Sequence, residues 1–239
     1  MAPALTIGLA VYGQPIMLAE WFDRFGRAEV NNETDDVEVI VVDDCGTPPA
    51  EVPDHHMVHL LRMKHDVPWN QGECRNLAAQ QAKGRVLMML DPDMTLPEKS
   101  LAGFLAAAGQ LREGRVVRPL LRHGDGKLDA TSPNVYLIHR KDFLRCAYDL
   151  CYSGNKGYGD VELSNCWGKL YKEDRDRGLV LDFHHNGKYS DAQVLTISRD
   201  LAHNRKLFHE RHRRCAKIGV GPFVAERSPL VRSEWEKVR

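Results

Sequence analysis

Short apolar runs alternate with amphipathic segments over the first 108 residues, and this alternation limits the fold more than any other feature of the chain. The apolar runs are rich in β-branched residues and lie at 5–11, 37–42, 57–61 and 85–90. Segments with apolar residues at helical spacing lie between or after them, at 15–25, 71–83 and 101–108. Buried strands alternating with helices favour a parallel sheet that binds ligands at the carboxyl ends of its strands. We therefore predict an α/β fold with a mostly parallel central sheet flanked by helices.

The second half of the chain has a less regular pattern. It predicts strands at 116–121, 134–138 and 179–183, and helices at 163–171 and 198–217. No internal repeat, low-complexity tract or linker divides the chain, so a single domain is expected.

Composition and charge narrow the function classes. The formal net charge is zero and the pI is near 7.2, so no overall field draws the protein to nucleic acid or membrane. The six cysteines form no C-x-x-C pair, which indicates reduced thiols in a cytoplasmic protein. No signal-like leader or apolar stretch of spanning length is present, so we expect a soluble protein without a membrane span.

Asp91-Pro92-Asp93 directly follows the apolar run that ends at Leu90. Two carboxylates separated by a proline at a strand end are well placed to hold a divalent cation against a diphosphate, because hard oxygen ligands suit Mg²⁺ or Mn²⁺. An isolated acidic pair of this kind is also common in solvated loops, so the neighbouring motifs have to support the metal site.

Asp43 and Asp44 end another predicted strand and precede a turn at Gly46. A carboxylate there can accept a hydrogen bond from a pyrimidine N–H or a ribose hydroxyl, and it can equally cap the turn. Further along, polar residues and Gly72 open a predicted helix whose N-terminus favours anions. Arg75 in this helix can reach a base carbonyl or a phosphate, or serve as a salt-bridge partner.

Gly157-Tyr158-Gly159-Asp160-Val161-Glu162 is a glycine loop that delivers two carboxylates to the start of a helix. Acidic residues are ordinary at helix N-termini. The functional interpretation is that one of them is the general base for an acceptor hydroxyl, a role that typically contributes about 10²–10⁴ in rate.

Taken in this order, the motifs resemble those of the GT-A glycosyltransferases, in particular the family-2-like group. The resemblance covers roughly residues 5–215: Val41 to Thr47 resemble the nucleotide-binding strand end, Asn70 to Gly84 the following helix, and Asp91 to Asp93 the metal motif. Residues 157–163 resemble the acidic motif of the galactosyltransferase-like branch, although this chain is one residue short there.

The resemblance implies a GT-A catalytic domain over 1–239, with a nucleotide-sugar half at 1–95, an acceptor half at 96–218 and a tail at 219–239. It implies donor contacts from Asp43, Asp44, Arg75 and Asp91, and a catalytic base at Asp160 or Glu162, with Asp160 favoured. It also implies Mn²⁺ or Mg²⁺ held by Asp91, Asp93 and a histidine, for which His185 is preferred over His184. A histidine ligand beside carboxylates favours Mn²⁺.

The predicted reaction is therefore an inverting transfer of a sugar from a UDP- or GDP-sugar to a hydroxyl acceptor. The acceptor is left open between a glycan, another hydroxyl compound and, as a minority hypothesis, a hydroxymethylated DNA base of the phage type, which an enzyme would flip out of the duplex. Cations between Arg199 and Lys217 fit a solvated helix face, closure over the diphosphate or contact with a polyanionic acceptor.

The sequence fits two other functions less well. A sugar-1-phosphate nucleotidyltransferase needs a glycine-rich basic loop near the N-terminus, which residues 8–15 do not supply. A non-catalytic module that binds sugar nucleotides or nucleic acid has no need of Asp91, Asp93 and Asp160 together.

Overall fold

A computed structural model of the chain describes residues 3–28, 33–131, 133–184, 200–217 and 230–239. The strands within these ranges are β1 (Leu5–Val11), β2 (Val37–Asp43), β3 (Val58–Met63), β4 (Val86–Leu90), β5 (Met94–Thr95), β6 (Arg115–Arg122), β7 (Leu128–Ala130), β8 (Tyr136–His139), β9 (Lys172–Phe183) and β10 (Trp235–Lys237). The α-helices are α1 (Pro15–Ala28), α2 (Gln71–Gln81), α3 (Leu101–Gln110), α4 (Arg140–Arg145), α5 (Gly159–Leu170) and α6 (Ala202–Lys217).

The strands form one sheet in the order β10-β3-β2-β1-β4-β8-β6-β9-β5, with β7 paired to β6. Strands β3, β2, β1 and β4 are parallel, and so are β6 and β9. Strand β8 runs antiparallel between β4 and β6. The predicted α/β fold with a mostly parallel central sheet is confirmed.

The centre of the sheet is buried on both faces. Every residue of β1, β2 and β4 is buried, which explains why their sequences are continuous apolar runs and do not alternate. One face packs against α1 and α3 through side chains such as Trp21 and Phe104. The other packs against α2 and α5 through Leu77 and Trp167.

Several elements differ from the sequence prediction. Strand β9 begins at Lys172 rather than at 179, and its first seven residues are mainly exposed, so they carry no apolar signal. The short elements β5, β7, α4 and β10 were not predicted. Strand β10 pairs antiparallel with β3, so part of the segment expected to be a tail belongs to the sheet edge.

The expectation of six reduced cysteines is wrong for two of them. Cys146 and Cys166 are joined as a disulfide between the residue that follows α4 and the middle of α5. Cys45, Cys74, Cys151 and Cys215 are free. A sequence separation of 20 residues gives no recognisable pairing motif, because the fold alone brings these two positions together.

None of the helices in the described ranges combines the length and the apolar character that crossing a bilayer requires.

Candidate active site

A cleft lies where the parallel strands β1, β2 and β4 end. The register places Val11 beside Asp43, and Leu9 beside Leu90, so the loops that follow these three strands converge at one edge of the sheet. The cleft has a volume of about 230 Å³. We call it the donor pocket, and its lining is formed by Ala10, Val11, Tyr12, Gln14, Met17, Asp44, Trp69, Asn70, Gln71, Asp91, Pro92 and Asp93.

The adjacent carboxylates Asp43 and Asp44 have different roles. Asp43 is fully buried and its oxygens accept hydrogen bonds from the backbone N–H groups of Gly46 and Ala50, each at 3.0 Å, and from Arg62 Nε at 3.0 Å. Asp43 therefore stabilises the turn. Asp44 lines the donor pocket, and its Oδ1 is buried without a hydrogen-bond partner. Both of these carboxylates were predicted to contact the donor, and Asp44 is the one of the pair that lines the pocket.

Burial changes the acidity of Asp44. Desolvation raises its pKa from 3.8 to about 8, and the nearby Cys74 and Asn70 side chains act in the opposite direction. A carboxyl group that titrates near neutral pH, with one oxygen unused, can exchange hydrogen bonds with a ligand in either protonation state.

Asp91 is oriented from inside the protein by Arg75. The Arg75 side chain is completely buried on α2, and its Nη2 lies 2.5 Å from Asp91 Oδ1. Its Nη1 donates to the Asn134 carbonyl at 2.7 Å and to the Tyr148 hydroxyl at 2.9 Å. Gln71 Nε2 donates to the same Asp91 oxygen at 2.8 Å. Arg75 does not line the donor pocket. Its predicted contact with the nucleotide stays a prediction, and the contact that the structure shows is the one with Asp91.

Asp93 lies at the junction between the donor pocket and the end of β9. The pairing of β5 with β9 sets Met94 opposite Phe183, and the N–H of His184 donates to the Asp93 carbonyl at 2.9 Å. The His184 ring contacts Thr95 Oγ1 through Nε2 at 2.8 Å, and burial lowers the pKa of this histidine. His185, the preferred histidine ligand, lies outside the described residues.

The carboxylates of Asp91 and Asp93 are half-buried in the donor pocket and supply the hard oxygen ligands that Mg²⁺ and Mn²⁺ take. Their chemistry fits the predicted cation. Among the described residues, three metal-ligating side chains have their ligand atoms within 4.8 Å of one another at a different place. They are Asp35, His55 and His56. They are located before the amino ends of β2 and β3, at the opposite edge of the sheet.

A second cleft of about 180 Å³ adjoins the first. We call it the acceptor pocket, after the hydroxyl acceptor that the resemblance predicts next to Asp160, and its lining is formed by Trp69, Gln71, Gly72, Asn134, Tyr148, Asp149, Tyr152, Ser153, Asn155, Lys156, Gly157, Gly159 and Asp160. Trp69 and Gln71 line both pockets, so the two clefts share a wall. The predicted metal ligands Asp91 and Asp93 therefore lie in one cleft, and the predicted base Asp160 lies in the cleft next to it.

The two candidate bases differ in access. Asp160 lines the acceptor pocket and is half-buried. Glu162 is 4% exposed, does not line that pocket, and its Oε2 lies 2.9 Å from His212 Nε2 on α6. Glu162 thus connects α5 to α6, and Asp160 is the carboxylate that a ligand in this pocket can reach.

The glycine loop before α5 is held by α6. Asn204 is fully buried, and its Nδ2 donates to the carbonyl oxygens of Tyr152 at 3.0 Å, Asn155 at 2.7 Å and Gly157 at 2.9 Å. Gly157 has φ +81°, and a Cβ atom there would lie 2.6 Å from Leu201 Cδ2, so glycine is required. The loop that leads to Asp160 is shaped by contacts from a helix more than 40 residues later.

Some site residues were not predicted from the sequence. Trp69, which has φ +52°, joins the two pockets, and Tyr148, Asn204 and Lys156 shape the acceptor side. A tryptophan next to the polar helix start at Asn70 was the available signal, because large aromatic side chains near ligand-binding turns often line clefts. The segment 204–208 resembles one in the related branch, but that resemblance suggested closure over the diphosphate and not the contact of Asn204 with the loop, which depends on distant parts of the chain.

Most of the chain, including the donor pocket, resembles a known protein family. The family model for glycosyl transferase family 2 matches residues 7–159, which includes the donor pocket and ends one residue before Asp160. No curated protein gives a significant match to the chain.

Solved structures share the fold. The crystal structure of S. aureus TarS 1-349 in complex with UDP-GlcNAc superposes with a TM-score of 0.60 at 13% identity, covering 89% of this chain and 72% of that chain. The crystal structure of GalNAc-T7 with UDP, GalNAc and Mn²⁺ gives a TM-score of 0.57 at 13% identity, covering 77% of this chain and 44% of that chain. These likenesses confirm the predicted fold.

Proposed function

Because the chain belongs to glycosyl transferase family 2, and is therefore a glycosyltransferase, we propose that it moves a sugar from a nucleoside-diphosphate donor to a hydroxyl acceptor by inversion, with a divalent cation. The observation that carries the proposal is the shared wall between the donor pocket and the acceptor pocket at Trp69 and Gln71. A sugar that crosses this wall would pass from the cleft of Asp91 and Asp93 to the cleft of Asp160.

The donor pocket supports a nucleotide ligand. Asp44 offers an unused buried oxygen for an N–H of the base or a hydroxyl of the ribose. The side chains of Tyr12 and Met17 provide apolar contact area in the same lining. The TarS and GalNAc-T7 structures contain UDP-GlcNAc and UDP respectively, which favours a UDP-sugar over a GDP-sugar here.

Asp91 and Asp93 would hold the cation, with Mn²⁺ favoured by its presence in the GalNAc-T7 structure. The cation, when bound, would supply positive charge that offsets the charge developing on the departing diphosphate. The chain's own contribution is orientation: Arg75 and Gln71 both donate to Asp91 Oδ1, which fixes the direction of that carboxylate before a ligand arrives. Pre-organised ligands lose less conformational freedom on binding.

Asp160 would accept the proton of the acceptor hydroxyl as that oxygen attacks the anomeric carbon. Its position in a cleft separate from the donor pocket suits attack from the side opposite the departing diphosphate, and so a single inverting displacement. Glu162 is less suited to this role because its carboxylate is buried against His212.

The test is a thermal-shift titration of the wild-type protein with nucleoside diphosphates and nucleotide sugars, with and without Mn²⁺. A ligand that binds the folded state raises its stability by about 2.7 kcal/mol at a hundredfold excess over Kd. We expect a Mn²⁺-dependent rise in Tm with uridine nucleotides, and its loss in Asp91→Asn and Asp93→Asn.

The matched control is Asp125→Asn, which removes an exposed carboxylate in the turn before β7. This variant should keep the full shift. A wild-type protein that shows no shift with any nucleotide would overturn the proposed donor site and favour a binding module for another ligand.

A further inference from the structure

The acceptor pocket has a cation in its wall. Lys156 is half-buried there, and its Nζ lies 5.1 Å from the centroid of the Trp69 ring. In the part of the chain that the structure describes, Lys156 forms no ion pair. An ammonium group that rests on an aromatic face keeps its charge available to an anionic ligand.

The acidic residues of the same pocket do not neutralise Lys156. Asp149 is paired with Arg211 from α6, and both side chains are nearly buried. Asp160 is the proposed base, and its role requires contact with the acceptor hydroxyl. A ligand that enters the pocket therefore meets the Lys156 ammonium group in the same lining as the proposed base.

A row of basic residues runs along α6, beginning next to the glycine loop whose Gly157 and Gly159 line this pocket. Arg205 is exposed, and its Nε donates to the hydroxyl of Tyr158 at 3.1 Å, so it is fixed to the glycine loop. His209 and Arg213 follow at four-residue intervals and are also exposed. Four residues of α-helix rise about 6 Å, and positions four apart lie on the same face.

The row is poorly neutralised by acidic neighbours. Arg205 and Arg213 form no ion pair among the described residues, and the neighbouring Lys206 approaches Glu210 only to 4.0 Å. This contrasts with the arginines of the sheet, since Arg115, Arg118 and Arg122 are each paired with a carboxylate within 3 Å. The chain as a whole has zero net charge, so the positive character of this face is local.

We propose that the acceptor is an anionic glycan, a sugar chain that carries carboxylate or phosphate groups. It places its reactive hydroxyl at Asp160 and a neighbouring anionic group at Lys156, and it runs along the row Arg205, His209 and Arg213. This inference rests on the proposed glycosyl transfer and names the acceptor class for that same site.

Two observations favour a glycan over a nucleic acid. The pocket wall combines the Trp69 ring with the amides of Asn134 and Asn155, and such a lining suits a polar ring with several hydroxyl groups. Nucleic-acid-binding domains usually carry a strong positive charge and a pI above about 9, whereas the pI here is near 7.2.

The experiment measures the binding of fluorescent oligosaccharides by anisotropy. Oligogalacturonate supplies carboxylates, and its methyl ester is the same chain without charge; mannopentaose phosphate and mannopentaose form a second matched pair. We expect an anionic member to bind about tenfold more tightly than its neutral match, and its affinity to fall as salt is added. Lys156→Gln and the double variant Arg205→Gln/Arg213→Gln should each abolish most of this preference.

The control variant is Lys83→Gln, which removes one exposed charge beyond the far end of α2. It should bind as the wild type does. Equal affinity for both members of each pair, or tighter binding of oligo(dT) than of either anionic sugar chain, would overturn the proposal. Nucleotide thermal shifts on the same samples distinguish a wrong acceptor class from a wrong proposed function. A normal nucleotide shift without a preference for anionic sugar chains refutes the acceptor class alone. A missing nucleotide shift refutes the proposed transfer.

Discussion

Arg75 reaches Asp91 through the interior of the protein, with Nη2 2.5 Å from Oδ1 and no part of the arginine side chain exposed. The same guanidinium donates to the carbonyl of Asn134, a residue that lines the acceptor pocket. One buried side chain therefore connects the proposed metal ligand to the wall of the second cleft. Both terminal nitrogens of the guanidinium donate to acceptors, Nη1 to Asn134 and Tyr148 and Nη2 to Asp91, which offsets the cost of burying the charge.

The first prediction concerns Arg75→Lys. Lysine keeps the charge and loses the planar fork that reaches Asp91, Asn134 and Tyr148 at once. We expect a loss of about 3 kcal/mol in the free energy of unfolding, and a weaker Mn²⁺-dependent nucleotide shift because Asp91 is no longer oriented. Denaturant unfolding and thermal shift measure the two effects.

The control for this prediction is Arg115→Lys, in which the partly exposed pair with Asp174 changes in the same way. Exposed pairs contribute about 0–1 kcal/mol, so this variant should remain close to wild type. If Arg75→Lys unfolds as the wild type does and binds nucleotide equally well, the orienting role of Arg75 is wrong.

The second prediction decides between the two candidate bases. Asp160→Asn should lower the transfer rate by about 10²–10⁴ and leave nucleotide binding unchanged, because the proton acceptor is lost and the donor pocket is intact. Glu162→Gln should reduce stability more than turnover, because Glu162 pairs with His212 outside the pocket lining. The measurements are initial transfer rates and Tm for both variants. A large loss of rate in Glu162→Gln, with Asp160→Asn active, would exchange the two assignments.

The sequence allowed the donor side to be predicted better than the acceptor side, and the reason is geometric. Carboxyl ends of parallel strands meet at one edge, so the motifs at Asp44 and Asp91 could be brought together without knowledge of side-chain packing. The sequence could not show that Asp43 contacts Gly46, Ala50 and Arg62 while Asp44 lines the pocket, because Asp43 and Asp44 stand next to each other at the end of the same strand.

The acceptor side depends on contacts between distant parts of the chain. Asn204 and Tyr152 are 52 positions apart, and no spacing rule relates a helix residue to the carbonyls of a loop at that separation. The exposed first half of β9 lacks apolar alternation, and it is a strand only because it pairs with β6. The predicted metal role of His185 and the finer resemblance of residues 157–163 to the galactosyltransferase-like motif stay predictions.

The third prediction tests how Asn204 shapes the loop before Asp160. Asn204→Ala removes the amide group that donates hydrogen bonds to the three carbonyl oxygens. Asn204→Asp keeps the side-chain volume but places a carboxylate against those oxygens. We expect faster hydrogen exchange in residues 152–158 of both variants, with the aspartate at least as disruptive as the alanine. The readout is peptide-resolved hydrogen exchange by mass spectrometry.

Cys215→Ala is the matched control, since Cys215 is buried on the same helix about three turns beyond Asn204. It should lower Tm without a local change in exchange at 152–158. If Asn204→Asp behaves as wild type, Asn204 only fills space and the hydrogen-bonding role is wrong.

The fourth prediction follows from the acidity of Asp44, whose pKa is about 8 in the folded protein against 3.8 for an ordinary aspartate. Between these two pH values the folded state keeps a proton that the unfolded state releases. The free energy of unfolding therefore falls as the pH rises, and this loss is complete above about pH 8. Asp44→Asn resembles the protonated carboxyl group and removes this dependence. We expect the variant to have a higher Tm than wild type at pH 9, a smaller advantage near pH 5 and a similar Tm only near pH 3, below the ordinary aspartate pKa of 3.8, in differential scanning calorimetry. Parallel Tm profiles for the two proteins across this range would show that burial does not shift the Asp44 titration.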